Sequence, residues 1–206
     1  MYIDDHQLPS APGKDPEFTP RVGPLYQGIA LLWEIIKVVL ISLAIIIPVR
    51  YFLVQPFFVN GASMEDSFYD GDYILIDEIS YRFKDPVRGD IVVFRYPLDH
   101  RQFFIKRVIG MPGETIEVNN DTVTITNKDH PDGFVVKEEY LSSNQETRGN
   151  IKITLDDNEY FVMGDNRLHS SDSRYWGAVK RSEITGRVFA RAWPLGKAEF
   201  FDKPTY

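Results

Sequence analysis

Ser63 lies in the stretch Gly61-Ala-Ser-Met-Glu-Asp-Ser-Phe68, preceded by two small residues that let another backbone approach closely. A serine hydroxyl becomes a nucleophile only when a base removes its proton; without one it is a loop hydroxyl. The chain offers three kinds of base. His169, with Asp172 three residues on, suggests a Ser-His-Asp arrangement. It sits in the polar stretch Asn166-Arg-Leu-His-Ser-Ser-Asp-Ser-Arg174, where a solvated histidine is the default. Glu65 and Asp66 are near in sequence but too acidic to deprotonate a hydroxyl unless strongly perturbed. Lys106 lies in Phe103-Phe-Ile-Lys-Arg-Val-Ile109. Strand alternation puts Lys106 and Phe104 on one face, with Ile105 and Arg107 on the other. A lysine turned into apolar surface loses solvation, its pKa falls, and it becomes a neutral amine base near pH 7. The plain alternative is a surface lysine on an amphipathic strand.

The elements that must carry these residues follow from patterning. From Gly28 to Val49 only Glu34 and Lys37 are charged. A helix of about 22 residues spans roughly 33 Å, enough for a bilayer core. Glu34 and Lys37, three apart, share a face and can pair or snorkel. Pro48 and Arg50 mark the far end. A buried amphipathic helix is the alternative, but the run is apolar all round. Lys14, Arg21 and Lys37 precede the apolar core and Arg50 follows it, which favours a cytoplasmic N-terminus. Residues 1–27, with recurrent proline and no periodicity, read as a disordered tail; residues 28–53 as a retained transmembrane anchor; residues 54–206 as a β-rich catalytic domain. After residue 57 short apolar runs alternate with Gly-Asp and Asn-Asp turns, and residues 114–127 read as a hairpin. Asn120-Asp121-Thr122 is a formal glycosylation sequon, better read as that turn. The predicted fold is mainly β: one N-terminal transmembrane helix followed by an antiparallel sheet, curled or barrel-like to manage its edges.

Composition narrows the chemistry. The 206 residues carry a net charge of −7, which argues against a nucleic-acid partner. There is no cysteine, so disulfides, thiolate metal sites and a cysteine nucleophile are excluded. The four histidines show no metal-ligand spacing, and neither a metal nor another cofactor is expected.

Four stretches, taken in order behind the anchor, resemble the bacterial type I signal peptidases, membrane-anchored Ser/Lys proteases. They are Phe57-Phe-Val-Asn-Gly-Ala-Ser-Met64; residues 72–94 with an Arg-Gly-Asp turn; Phe104-Ile-Lys-Arg-Val-Ile-Gly-Met-Pro-Gly-Glu114; and residues 162–177 with Gly-Asp-Asn and Ser-Arg-Tyr-Trp-Gly. The resemblance implies Ser63 as nucleophile and Lys106 as general base, with Ser170 orienting the amine. It implies Asp165, Asp172 and Arg174 as a polar framework and Arg107 beside the base. Phe57, Val59, Phe104 and Ile105 would line a shallow groove, with Met64 and Phe68 near the small pocket for the residue before the cut. The implied substrates are signal peptides of secreted preproteins with small residues at −1 and −3. The implied place is the plasma membrane, among its lipids, with the catalytic domain on the outer face. Two positions depart from the pattern. Asp66 stands where proline is usual, so the turn is expected to be held by Asp66 bonding its own backbone, with its charge toward solvent. Gly61 stands where some members carry a serine that helps bind the oxyanion. Asp66 also motivates an alternative: a catalytically impaired, membrane-tethered peptide-binding relative. A Ser/Lys self-cleaving regulator is disfavoured by the anchor and the acidic charge.

Overall fold

The computed structural model describes residues 23–48, 54–119, 121–142 and 145–201. Residues 1–22 of the predicted tail, Arg50 and the sequon's Asn120 lie outside the described residues, while residues 24–27 of that tail are helical. The chain divides into two units between Ile45 and Ile46.

The first unit holds helix α1, Pro24–Pro48. It starts earlier than Gly28, with proline at the first helical position, where the missing N–H costs nothing. Residues Gln27–Ile47 have a mean hydropathy of 2.5 with none buried. That is long and apolar enough to cross a membrane. Lys37 Nζ lies 2.6 Å from Glu34 Oε1, so the helix's two opposite charges pair.

The described residues of the second unit form twelve strands: β1 Val54–Phe58, β2 Tyr73–Asp77, β3 Ile91–Tyr96, β4 Asp99–Gly110, β5 Thr115–Asn119, β6 Thr122–Thr126, β7 Phe134–Val135, β8 Ile151–Thr154, β9 Glu159–Met163, β10 Val179–Lys180, β11 Ile184–Trp193 and β12 Glu199–Phe200. One sheet runs β1-β2-β11-β3-β4-β9-β10, with β12 added on β11; a smaller one runs β7-β6-β5-β8. Among the described residues every pairing between these strands is antiparallel. Among the described residues the helices beyond α1 are a few residues long, Ser80–Phe83 and Ser173–Trp176, with short 3-10 turns such as Arg167–His169.

The core has three parts. Strand β3 reads as a continuous apolar run because both its faces are covered. Ile91 and Val93 join Met64, Phe68, Ile74 and Val188 on one side; Val92 and Phe94 join Val108, Tyr160 and Val162 on the other. The third part lies under the small sheet, where the inward faces of the β5–β6 hairpin, Ile116, Val118, Val123 and Ile125, meet Phe161 and Met163. The large sheet curls until its first and fifth strands flank one groove, with the Phe57 and Phe103 rings 5.4 Å apart. That curl places the loop after β1 beside the middle of β4.

Candidate active site

The β1–β2 loop carries Ser63. Its base is closed by Val59 N–H to Asp72 O (2.9 Å) and Gly71 N–H to Val59 O (2.9 Å). Gly61 turns the chain with φ +91°, a region that L side chains enter only with strain, and its N–H donates to Asp70 Oδ1 at 2.7 Å. Met64 and Phe68 are fully buried, and the Phe68 N–H closes a turn on Met64 O at 2.7 Å. These two side chains peg the loop into the core and leave Ser63 half-buried above them.

Lys106 comes from β4 and is 3% exposed. Its Nζ lies 2.7 Å from Ser63 Oγ, donates to Ile105 O at 2.8 Å, and sits 5.4 Å from the centre of the Phe104 ring. Burial pulls its pKa down to about 8, against a smaller upward pull from the carboxylates of Asp172 and Asp165. An amine poised there is neutral often enough at neutral pH to offer its lone pair to the Ser63 hydroxyl.

Two buried ion pairs frame this contact. The Arg107 guanidinium donates to both oxygens of Asp165 (2.9 and 2.6 Å) and lies 4.0 Å from the centre of the Tyr140 ring; Ser67 Oγ donates to the same carboxylate at 2.5 Å. Asp172 caps the turn Ser173–Trp176, receives Arg174 Nε and Nη2 at 2.8 and 2.9 Å, and accepts the Gly164 N–H at 3.1 Å. Each carboxylate is thus saturated by donors, which is what keeps a buried charge tolerable. With Asp172 held by Arg174, and His169 exposed with Nδ1 3.2 Å from Asn166 Oδ1, no Ser-His-Asp triad forms.

A groove of about 450 Å³ opens in front of Ser63 and Lys106. Phe57, Val59, Phe104 and Ile105 line it, as do Asn60, Gln102, Phe103 and Ser171. Among the described residues strand β1 pairs only with β2, and β4 pairs with β9 only from Arg107 onward. The groove therefore has an unpaired strand edge on each side, ready to take an extended chain. Among the described residues no group of His, Asp and Glu could hold a metal ion.

The chain matches the family described as signal peptidase, peptidase S26, over residues 32–193. This chain belongs to that family. It is 36% identical to "Probable signal peptidase I-2" of Synechocystis sp., covering 79% of this chain and 73% of the relative. It is 35% identical to "Signal peptidase I" of Leptolyngbya laminosa, covering 85% and 87%. A solved signal peptidase I from Enterococcus faecalis V583 is 35% identical, covers 50% of this chain and 97% of that one, and superposes with a TM-score of 0.42.

Several residues sit otherwise than the family resemblance implied. Among the described residues Ser170 Oγ is buried with no hydrogen-bond partner and packs against Gly164, and the amine is held by Ser63 and the Ile105 carbonyl instead. Met64 and Phe68 are core pegs rather than groove wall, because the loop turns their side chains inward. Gly61 lies outside the groove, its N–H occupied by Asp70. Asp66 is exposed, as expected, but the turn is closed by backbone bonds, Glu65 N–H to Ala62 O (3.2 Å) and Phe68 N–H to Met64 O, rather than by its carboxylate.

Other site residues escaped sequence reasoning. At Gly164 a Cβ would stand 2.2 Å from Ser170 Oγ and 2.4 Å from Ser63 O, so only glycine lets this strand end meet the Ser63 loop. Arg167 has a fully buried side chain, paired with Glu138 and bonded to Thr147 Oγ1 (2.6 Å) and Gly164 O (3.0 Å). It lies in a stretch that reads as solvated loop, and Glu138 is 29 residues away in sequence, so only the fold reveals the pair. Asn166, in the Gly-Asp-Asn box, bonds the Ser63 loop itself, through Ala62 O.

Proposed function

We propose that this signal peptidase family member is a membrane-tethered serine endopeptidase that removes signal peptides from translocated preproteins with Ser63 and Lys106 as its catalytic pair. The observation that carries the reading is the 2.7 Å contact between Ser63 Oγ and a buried amine whose pKa is drawn down to about 8. The signal-peptide segment adds as a strand between the free edges of β1 and β4, so its backbone is bound whatever its sequence. Period-two alternation puts residues −1 and −3 on the same face, against shallow apolar wall that admits small side chains by exclusion.

The neutral Lys106 amine accepts the Ser63 proton as Oγ attacks the carbonyl carbon. The carbonyl oxygen becomes an oxyanion facing the Ser63 N–H. The Lys106 ammonium then protonates the departing nitrogen, the C–N bond breaks, and the mature protein leaves with a free amino terminus. The neutral amine next takes a proton from water, whose oxygen attacks the acyl ester. The returning proton restores Ser63 Oγ, and the signal peptide leaves as a carboxylate.

Helix α1 supplies the lipid contact and the tether. The basic residues before it favour a cytoplasmic N-terminus, with the β unit on the outer face of the plasma membrane. No cofactor or nucleic acid enters this scheme. Nothing at Asp66 favours the impaired reading: it is exposed, and the carboxylates acting on Lys106 are Asp172 and Asp165. The test is cleavage of a precursor with alanine at −1 and −3 by the full chain. Ser63→Ala and Lys106→Ala should each abolish it, while His130→Ala, on an exposed turn, should not. Cleavage retained in either of the first two would sink the proposal.

A further inference from the structure

Asn166 touches no group that reacts, yet it holds the backbone on both sides of Ser63. Its Nδ2 donates to Ala62 O at 3.0 Å, and its backbone N–H donates to Ser63 O at 3.1 Å. Ala62 O also accepts the Glu65 N–H at 3.2 Å, so that carbonyl is fixed from two directions. The Ala62–Ser63 peptide is trans and planar, so its N–H points opposite its C=O. Fixing Ala62 O therefore fixes the direction of the Ser63 N–H. Among the described residues that N–H has no acceptor. The Gly61 N–H, two residues earlier, is already spent on Asp70.

Asn166 is itself well held. It is 7% exposed and lies between Asp165, locked to Arg107, and Arg167, locked to Glu138. Its amide orientation is set by hydrogen bonding: Oδ1 accepts the His169 N–H at 3.3 Å and faces His169 Nδ1 at 3.2 Å. Turned over, the amide would set donor against donor there and acceptor against acceptor at Ala62. Nδ2 also lies 3.5 Å from Glu65 Oε2, at the limit of a hydrogen bond. No hydrogen bond joins Asn166 to Lys106, whose amine is engaged by Ser63 and Ile105.

We infer that Asn166 is a positioning residue for the oxyanion: by clamping the carbonyls on either side of Ser63, it aims the Ser63 N–H at the oxygen that becomes charged as the bond is attacked. The inference rests on the reading of Ser63 as the nucleophile. An N–H that is already aimed stabilises the oxyanion without reorganising at the moment of reaction, whereas a peptide free to rock loses much of that benefit.

The test uses the full chain in detergent, with Asn166→Asp and Asn166→Ala compared with the parent. Asn166→Asp keeps the volume and the His169 contact but turns the donor facing Ala62 O into an acceptor. Two peptides of one signal sequence are the probes. One ends in a boronic acid, which becomes tetrahedral and anionic on Ser63 Oγ; the other carries an uncleavable reduced bond at the cut site. Full loss of an oxyanion donor costs about 100- to 1000-fold in kcat, so misaiming one should cost roughly 10- to 100-fold. The expected result is that loss in kcat and in boronate affinity, with KM and reduced-peptide affinity within about twofold and the acid limb of the pH profile unmoved. The ratio of the two affinities is read only from folded protein, so partial unfolding does not imitate it. Equal losses for both peptides, a shifted acid limb or an unchanged kcat would each overturn the inference. A Ser63→Ala control separates the two levels. If it still cleaves, the nucleophile reading fails; if it is inactive while Asn166→Asp matches the parent, only the positioning role fails.

Discussion

Replacing Lys106 by methionine should make the protein inactive and, near neutral pH, more stable. The amine's pKa in the fold is about 8 against an ordinary 10.5. A shift of this size corresponds to about 3 kcal/mol of cost for holding the charged form in the folded protein. Below pH 8 the lysine is protonated folded and unfolded, and the fold bears the whole cost. Between pH 8 and 10.5 the folded amine has released its proton while the unfolded chain still binds one, so the parent gains stability as pH rises. Above 10.5 both states are neutral and the cost is gone. Methionine matches the unbranched stem and carries no charge, but it forfeits the contacts to Ser63 Oγ and Ile105 O, worth about 1 kcal/mol. Lys106→Met should therefore be about 2 kcal/mol more stable than the parent at pH 6 to 7, with the gap closing toward pH 10. Thermal unfolding of both full-length proteins in the same detergent, at each pH unit from 6 to 10, measures the difference, and titration of the other tyrosines and lysines cancels between them. A variant less stable at every pH, or a gap that does not change with pH, would refute the claim that the fold holds this amine against its desolvation.

Three other substitutions test the scaffold. Gly164→Ala places a methyl 2.4 Å from Ser63 O, and should cost about 1–3 kcal/mol in a thermal melt and most of the cleavage activity, because the Ser63 loop must give way. Gly61→Ser puts a side chain at φ +91°, and should lower stability by about 1–2 kcal/mol without raising kcat, since the Gly61 N–H already serves Asp70. Arg107→Met leaves the Asp165 carboxylate buried and unpaired, and should destabilise by about 3–5 kcal/mol, with Arg107→Met/Asp165→Leu recovering much of the loss in the same melts.

Two elements were the easiest to read from the chain. Alternation in Thr115–Thr126 marks the hairpin because one face of the small sheet is buried and the other is not. The uniform apolarity of Gln27–Ile47 marks the long helix for the opposite reason. Short pairings such as β7 and β10 carry too few residues to show a period. The chain also places Ser63 and Lys106 among the candidates, because a serine between small residues and a lysine inside an apolar run are local anomalies. What holds them is not local. The family resemblance put Met64 and Phe68 near the small pocket, and nothing in their spacing shows that the loop folds over them and buries both. The pairs Arg107–Asp165 and Arg167–Glu138 join charges 58 and 29 residues apart, and Asn166 reaches back 104 residues to Ala62. Such partnerships depend on how the two sheets meet, which hydrophobic periodicity does not encode.

The pH dependence of kcat/KM for a precursor peptide, measured on the full chain from pH 5 to 10, tests the Ser63–Lys106 pair most directly. With the amine at about 8, roughly 10% is neutral at pH 7 and 90% at pH 9, so kcat/KM should rise about tenfold between them along a single ionisation of unit slope. An acid limb centred near 6.5 would assign the base to an imidazole, and one near 4.5 to a carboxylate. Either result would contradict an amine as the group that takes the Ser63 proton.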